Sequence, residues 1–313
     1  MSADRALRLG TRGSDLALWQ ANHVKDLIAE RLGLSCAIVI VKTAGDRIQN
    51  VAFRKMEGKG FFTKELQDAL LEGRIDLIVH SLKDLPVVEP AGLDLIAIPE
   101  RGHSSDLLIA RKGVIRRNHA EPLGLPENTV LGTSSLRRAG QALAASAGVE
   151  IRTLRGNVPT RIRRLRDGEY DAILLATAGV RRLGLSLDDL DNVELAPEVM
   201  LPAPGQGALA IETRAGDPLT QPLKDLNDSA VARCVEAERS LLKALGGGCQ
   251  LPLGCLGTED ESGIRLQAVL CEVDDCVTTA SVSRVGGLAP NPETAARVCF
   301  EALRLAMPGA VPK

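Results

Sequence analysis

The sequence predicts an α/β protein in which two similar lobes face one another across a cleft and a smaller α+β domain follows them. Three observations support this prediction. A chain of 313 residues is too long for one comfortable hydrophobic core, so two or three domains are expected. Strand and helix patterns alternate in the same order twice in the first two thirds of the chain. From about Leu226 the pattern changes to one helix, two alternating strands and a final helix.

The first lobe begins with Leu9-Gly-Thr11-Arg-Gly-Ser14, which precedes a predicted helix over Asp15–Leu32 that ends at Gly33. A strand is predicted over 37–42 and a second helix over 63–71. The second helix is followed by a glycine, and three residues after that glycine come Asp76 and an apolar strand.

The second lobe repeats this order loosely. Leu131-Gly-Thr133-Ser-Ser135 precedes a helix that runs to Leu143, and a strand follows over 150–154. The next helix is predicted over 159–165, with a proline in its first turn. A glycine again follows it, and three residues later come Asp171 and an apolar strand. We interpret the repeat as two lobes of the same strand–helix–strand–helix–strand architecture.

Two segments connect the lobes. Leu93–Ile98 and Leu107–Ala110 are predicted as crossover strands, and Leu201–Gly207 as a second hinge before a strand (Ala208–Glu212) that returns to the first lobe. In the third domain, helices are predicted over 230–245 and 292–306 and strands over Ile264–Glu272 and Val277–Val282. The predicted domains are residues 1–105 with 206–224, residues 106–205, and residues 225–313.

Composition excludes several classes of protein. With 45% hydrophobic and 25% charged residues the chain has an ordinary globular composition, and no apolar segment has the length of a signal peptide or a membrane span. We therefore expect a cytoplasmic protein, with no membrane partner, whose seven cysteines are free thiols. No Cys-x-x-Cys pair occurs, so no metal site is expected. No heptad repeat occurs either, and a monomer is the expected state.

Positive charge is concentrated in one segment. Between Arg137 and Arg182 the chain has ten arginines, no lysine and four acidic residues. Arginine suits bidentate recognition of carboxylate or phosphate. Only six aromatic residues occur in the whole chain, and no recognition motif is present, so nucleic acid is not the expected ligand. A small polyanion explains the segment better.

The charged loops all follow strands or begin helices. In the segment Asp76–Pro86, Lys83 and Asp84 follow an apolar strand, at the end where α/β proteins bind their ligands. A solvated ion pair in a turn is the alternative for this dipeptide. The other charged loops are Thr11–Ser14, Lys55–Gly60, Thr133–Arg138, Arg155–Arg161 and Ala178–Arg182. Helix N-termini with a nearby cation bind anions, and Arg161, nearest its helix start, is expected to face the cleft while Arg163 and Arg164 lie on the surface.

Cys249 follows three consecutive glycines, which suit a place where the backbone approaches another group closely. No histidine lies in the same domain to act as a base, so a papain-like protease is not expected. The cysteine is either a covalent attachment point or an incidental thiol in a turn.

These segments together resemble the porphobilinogen deaminases (hydroxymethylbilane synthases), and the resemblance runs from Leu7 to about Gly254. The matching segments are Gly10-Thr-Arg-Gly-Ser-Asp-Leu-Ala-Leu-Trp-Gln20, Gly58-Lys-Gly-Phe-Phe-Thr-Lys-Glu65, His80-Ser-Leu-Lys-Asp-Leu-Pro86, Gly132-Thr-Ser-Ser-Leu-Arg-Arg138, Arg155-Gly-Asn-Val, Leu201-Pro-Ala-Pro-Gly-Gln-Gly-Ala208 and Gly247-Gly-Cys-Gln-Leu-Pro.

The resemblance implies a fold and a set of residue roles. It implies two periplasmic-binding-protein-like lobes with a third domain, and a transferase that joins four porphobilinogen molecules head to tail, with loss of ammonia, into hydroxymethylbilane. It implies a dipyrromethane cofactor held by a thioether to Cys249, with Asp84 as the catalytic carboxylate. The residues that it implies for the cofactor are Lys83, Asp84, Ser135, Arg137, Arg138 and Lys59. Those that it implies for the substrate are Arg12, Ser14, Arg155, Arg161, Arg182 and Lys55.

Two other functions fit part of the sequence. A two-lobed carboxylate-binding solute receptor fits the lobes and the arginines, but it does not account for the third domain or for Cys249. A phosphate-handling transferase fits the cations, but the chain has no nucleotide-binding glycine motif.

Overall fold

The structure is a computed structural model that describes residues 5–41, 63–116, 122–146, 148–248 and 251–311. The predicted site residues Lys55, Lys59 and Cys249 lie outside the described residues. The chain forms two compact units: residues 1–102 with 208–232, and residues 103–207 with 233–313. None of the helices in the described ranges is long and apolar enough to cross a membrane.

The first unit contains a five-stranded sheet in the order β2-β1-β3-β10-β4. β1 is parallel to β2 and β3, and β10 is antiparallel to β3 and β4. Apolar residues of α1 cover one face of the sheet and those of α2 cover the other. Its elements are β1 (Leu7–Thr11), α1 (Asp15–Leu32), β2 (Cys36–Ile40), α2 (Lys64–Leu71), β3 (Leu77–Ser81), β4 (Leu93–Ala97) and β10 (Leu209–Arg214).

The second unit contains a sheet of the same topology, in the order β7-β6-β8-β5-β9. β6 is parallel to β7 and β8, and β5 is antiparallel to β8 and β9. Its elements are β5 (Asp106–Arg111), β6 (Val130–Gly132), α3 (Leu136–Ala145), β7 (Glu150–Arg152), α4 (Val158–Arg166), β8 (Ala172–Ala176), α5 (Thr177–Arg182) and β9 (Leu190–Glu194).

A three-stranded antiparallel sheet, β11-β12-β13, completes the second unit. Two helices bury its core, and α3 of the five-stranded sheet also contacts β12 and β13. Its elements are α6 (Ser229–Ala244), whose first turn belongs to the first unit, β11 (Leu253–Asp260), β12 (Gly263–Val273), β13 (Ala280–Ala289) and α7 (Pro292–Ala306). The two sheets with their separate cores correspond to the predicted second and third domains, whose boundaries stay a prediction.

The structure confirms that the two five-stranded sheets are built alike. The carboxylate of Asp76 accepts a hydrogen bond from the Arg8 backbone N–H at 2.8 Å, and that of Asp171 accepts one from the Val130 N–H at 2.9 Å. In each sheet the glycine of the Leu-Gly-Thr segment leaves room for a large side chain. A Cβ at Gly132, for example, would come within 2.7 Å of Tyr170 Cδ1.

The prediction of a strand over Val277–Val282 is wrong at both ends, since the observed strand β13 is Ala280–Ala289. Val277 has a left-handed backbone (φ 57°), and Asp274 Oδ1 accepts hydrogen bonds from the Thr278 and Thr279 N–H groups, which closes a turn there. The strand begins only at Ala280. Sequence reasoning also missed β9 and β11, and Ala178–Arg182, which was predicted as a charged loop, lies in the helix α5. The ends of the other predicted elements shift by one or two residues.

Candidate active site

The topology brings the four predicted site residues of the first unit that the structure describes to one edge of its sheet. Arg12 and Ser14 follow β1, and Lys83 and Asp84 follow the parallel strand β3. The carboxyl ends of parallel strands meet at the same edge, which is where α/β proteins bind ligands. Arg12, Ser14 and Lys83 are half-buried and Asp84 is exposed.

The turn that carries Asp84 is firmly anchored. Leu82–Asp84 form one turn of 3-10 helix, and the Leu82 side chain is fully buried. The Leu82 N–H donates to the Ala208 carbonyl at 3.0 Å, and Gln20 Nε2 donates to Ser81 Oγ at 2.7 Å. The Asp84 carboxylate itself makes no hydrogen bond or ion pair with any residue in the described ranges. A fixed backbone therefore presents an available carboxylate.

A buried polar cluster behind this turn was missed by sequence reasoning. His80 Nε2 lies 2.9 Å from Glu212 Oε2, and Gln67 Nε2 donates to Glu212 Oε1 at 2.8 Å. The three side chains come from β3, β10 and α2. Their hydrogen bonds therefore connect the end of β3, the strand that precedes Asp84, to β10 and through Glu212 to α2. His80 is in the matched segment, but its partner is 132 positions away and leaves no local signal.

In the second unit, Ser135 is the N-cap of α3, the helix that the Thr133-Ser-Ser135 segment predicts. The Ser135 hydroxyl accepts from the Arg138 N–H at 3.4 Å, and the Ser135 N–H donates to Thr133 Oγ1 at 3.2 Å. This arrangement leaves other N–H groups of the first turn directed away from the helix, where they attract an anion.

Arg137 and Arg138, in the first turn of α3, are buried rather than exposed on the edge, with 4% and 7% of their surface accessible. Both contact Asp106, the first residue of β5, which is fully buried. Arg137 Nη1 donates to Asp106 Oδ2 at 2.6 Å, and Arg138 Nη2 donates to Oδ1 at 2.7 Å. Burial alone would raise the pKa of Asp106, but the charges and hydrogen bonds of the two guanidinium groups outweigh it and hold that pKa well below its usual range.

Sequence reasoning missed Asp106, because nothing in the sequence pairs it with the two arginines. The role of Arg137 and Arg138 in binding a ligand stays a prediction. The Nε and Nη2 groups of Arg137 donate to none of the described residues, since its side-chain hydrogen bonds both use Nη1.

The remaining predicted cations follow β7 and β8. Arg155 is half-buried, and Arg161 Nε donates to the Gly156 carbonyl at 2.7 Å, so Arg161 folds back over the start of α4. Arg182, at the end of α5, donates to the Gly207 carbonyl at 2.7 Å. Arg163 is exposed and Arg164 is paired with Glu169 at 2.6 Å on the surface.

Cys249 is not described, but both sides of its loop are. The Leu251 N–H donates to the Gly248 carbonyl at 3.0 Å. The Cys271 N–H of β12 donates to the Pro252 carbonyl at 3.1 Å, which holds Pro252 against the three-stranded sheet. Gly248 and Leu251 belong to the same compact unit as Ser135, Arg137 and Arg138.

Comparison with known proteins identifies the family. Residues 7–222 match the family model described as porphobilinogen deaminase, dipyromethane cofactor binding domain, and residues 232–302 match the model of the porphobilinogen deaminase C-terminal domain. The chain belongs to the porphobilinogen deaminase family. It is 43% identical over 272 residues to the porphobilinogen deaminase of Maridesulfovibrio salexigens, with 86% of each chain covered. It is 42% identical over 290 residues to that of Oceanobacillus iheyensis, with 92% of this chain and 91% of the relative covered.

Among solved structures, an ancestral cationic amino acid solute binding protein matches over 71% of this chain and 87% of its own, with 13% identity and a TM-score of 0.43. The porphobilinogen deaminase assignment rests on the sequence similarity.

The residues of the second unit fit the cofactor of the porphobilinogen deaminase family. A dipyrromethane has two acidic side chains on each pyrrole ring. Arg137 and Arg138 oppose one carboxylate, Asp106, so this buried cluster has a net positive charge that an acidic side chain of the cofactor would balance. Within the described ranges no group of residues has the composition of a metal site.

Proposed function

We propose that the chain is a transferase that joins four porphobilinogen molecules head to tail, with loss of ammonia, and releases linear hydroxymethylbilane after hydrolysis. This is the hydroxymethylbilane synthase reaction of tetrapyrrole biosynthesis. The matches to both porphobilinogen deaminase family models support it, and together they extend over most of the chain. The observation that carries the proposal chemically is the anchored turn that presents the Asp84 carboxylate.

Asp84 is proposed as the catalytic residue. When the aminomethyl C–N bond of porphobilinogen breaks and ammonia leaves, positive charge develops on the ring and is shared by the pyrrole N–H. A carboxylate that accepts a hydrogen bond from this N–H stabilises the charge as it forms. Because the turn is fixed by Leu82 and Ser81, little reorganisation is needed at that moment.

The cations are proposed to bind the acetate and propionate side chains of the pyrroles. Bound through a thioether to Cys249, the dipyrromethane supplies the pyrrole end to which substrate units are added. The residues proposed to hold it are Lys83, Asp84, Ser135, Arg137, Arg138 and Lys59. The residues proposed to bind substrate are Arg12, Ser14, Arg155, Arg161, Arg182 and Lys55. Guanidinium groups suit this task because each binds a carboxylate through two parallel hydrogen bonds.

We further propose that the enzyme is monomeric and cytoplasmic and that its partners are small molecules, with no nucleic acid or membrane among them. The solute-receptor alternative is not favoured, since both family models that match belong to porphobilinogen deaminases.

Incubation of the purified protein with porphobilinogen tests the proposal. We expect one ammonia for each porphobilinogen consumed and a linear tetrapyrrole that closes to a porphyrinogen without further enzyme. Binding of porphobilinogen without release of ammonia would contradict the proposal and favour a receptor.

A further inference from the structure

The cluster of Asp106, Arg137 and Arg138 is the most highly charged buried site that we find in the described part of the second unit. Arg138 donates to Asp106 Oδ1 through both Nε, at 3.0 Å, and Nη2, at 2.7 Å, and its Nη1 donates to the Leu174 carbonyl at 3.1 Å. Arg137 Nη1 donates both to Asp106 Oδ2, at 2.6 Å, and to the Leu201 carbonyl, at 2.7 Å. Each guanidinium is thereby held in one orientation.

The first unit has uncharged residues at the positions that correspond to this cluster. Arg137 and Arg138 are the second and third residues of α3 after the N-cap Ser135, and the same positions in α1, after its N-cap Ser14, are Leu16 and Ala17.

The position of Asp106 on β5 corresponds to that of Leu209 on β10 in the first unit. Asp106 pairs with Ala176, five residues after Asp171, and Leu209 pairs with Ser81, five residues after Asp76. The position of the buried carboxylate in the second unit is therefore that of a fully buried leucine in the first.

Buried ion clusters are often replaced by apolar residues with no loss of stability, whereas removal of one partner leaves an uncompensated charge. The first unit has leucine, alanine and leucine at the three positions, so the same arrangement of strands folds there without charges.

Asp106 also contacts the hinge segment. Gln206, which is fully buried, donates through Nε2 to Asp106 Oδ1 at 3.0 Å and to the Ser104 carbonyl at 2.7 Å. The carboxylate is thus fixed from both sides: α3 supplies the arginines and the 201–207 segment supplies the amide.

We propose that Asp106 is a positioning residue that orients Arg137 and Arg138 and cancels one of their two charges, so that the pair receives one carboxylate of a pyrrole side chain. The inference rests on the proposed function, because it assumes that the arginines bind the acidic side chains of the cofactor. The donors for that carboxylate are Nε and Nη2 of Arg137, which donate to none of the described residues.

The test compares Asp106→Glu with Asp76→Glu. Both variants keep a buried charge and lengthen the side chain by one methylene, and Asp76 is likewise fully buried among arginines (Arg5, Arg8 and Arg214). Asp76 precedes β3, at the opposite end of its strand from the candidate site, so it serves as the matched control. For each purified protein we would measure the fraction carrying the cofactor by intact mass, the melting temperature, and KM and kcat for porphobilinogen.

Asp106→Glu is expected to melt no lower than Asp76→Glu, because both variants add one methylene to a fully buried cluster, but to have a smaller loaded fraction. The kcat of its loaded fraction is expected to fall by about 10- to 100-fold, as for other small displacements of reacting groups, with little change in KM because the arginines hold the cofactor and not the substrate. Asp76→Glu is expected to load fully with an unchanged kcat. A wild-type loaded fraction and kcat in Asp106→Glu would overturn the inference while leaving the proposed function intact. If the wild type neither carries the cofactor nor releases ammonia, the proposed function fails and the inference fails with it.

A triple variant tests the role of the charged cluster if Asp106→Glu does not fold. It copies the first unit: Asp106→Leu, Arg137→Leu and Arg138→Ala. We expect it to fold with a melting temperature close to that of the wild type and to carry no cofactor. A triple variant that loses its fold would show that the charges are structural, and one that loads normally would show that they do not bind the cofactor. Either result overturns the inference.

Discussion

Replacement of Asp84 by asparagine is expected to remove most of the turnover and leave the fold intact. The side chain is exposed and makes no hydrogen bond or ion pair with the described residues, and the turn is fixed by the Leu82 and Ser81 contacts instead. Surface substitutions of this kind change the free energy of unfolding by less than about 0.5 kcal/mol. The melting temperature should therefore stay within a degree or two of the wild type, about what that energy allows.

The effect on the reaction follows from the charge that is lost. Asparagine keeps an oxygen that accepts a hydrogen bond from the pyrrole N–H, but it has no negative charge to stabilise the cation. Removal of one electrostatic contact to a developing charge costs about 2.7–4 kcal/mol, or about 10²–10³ in kcat. We expect a loss in this range for Asp84→Asn, with a smaller change in KM because the charge is absent from the bound substrate.

The assay is steady-state release of ammonia from porphobilinogen, with intact mass to confirm that the variant carries its cofactor. Asp94→Asn is the control, since Asp94 is also an exposed carboxylate of the first unit, on β4, and should keep its wild-type kcat. A kcat for Asp84→Asn within threefold of the wild type, in fully loaded protein, would refute the catalytic role of Asp84.

Three further predictions concern the scaffold. Gly132→Ala should lower the free energy of unfolding by about 1–3 kcal/mol, because the new Cβ would lie 2.7 Å from Tyr170 Cδ1; an unchanged denaturation midpoint would contradict this packing. Iodoacetamide at pH 8 should alkylate the exposed Cys276 in native protein but not Cys271, since burial raises the pKa of the Cys271 thiol to about 11; peptide mapping with a denatured control checks this. The pKa of Asp76 is held below its usual range by arginines despite burial, so its stabilising contribution is present above the unfolded-state pKa of about 3.9 and is lost as the pH falls below it. Asp76→Asn should therefore have a smaller decrease in unfolding free energy between pH 5 and pH 3 than the wild type.

The sequence predicted the strand–helix–strand–helix–strand order of both lobes because their local signals repeat. In both lobes the Leu-Gly-Thr segment, the helix start and the Gly-x-x-Asp before an apolar strand recur in the same order, and these signals are local. The missed strands have no such signal. β9 (Leu190–Glu194) has three exposed residues out of five, and β11 (Leu253–Asp260) contains two glycines and ends in acidic residues, so neither alternates like a half-buried strand. Their pairing with β5 and β12 makes them strands.

In the candidate site, too, residues with a local signal were predicted and partners distant in the sequence were missed. Asp84 and the helix-start arginines were predicted because strand ends and helix starts are visible in a sequence. The partners of buried charges are not. Asp106 lies 31 positions from Arg137, and Glu212 lies 132 positions from His80, so only the folded chain shows which carboxylate meets which cation. Burial of Arg137 and Arg138 could not be predicted for the same reason, since each depends on Asp106 for its compensation.

The intact mass of the purified wild-type protein and of Cys249→Ala tests the central claim most directly. We expect the wild type to exceed the mass of its 313 residues by two linked pyrrole units and Cys249→Ala to have the mass of the bare chain. A wild-type protein that has the bare mass, and that gains none after incubation with porphobilinogen, would contradict the claim. An adduct of the same mass on Cys249→Ala would place the attachment at another residue.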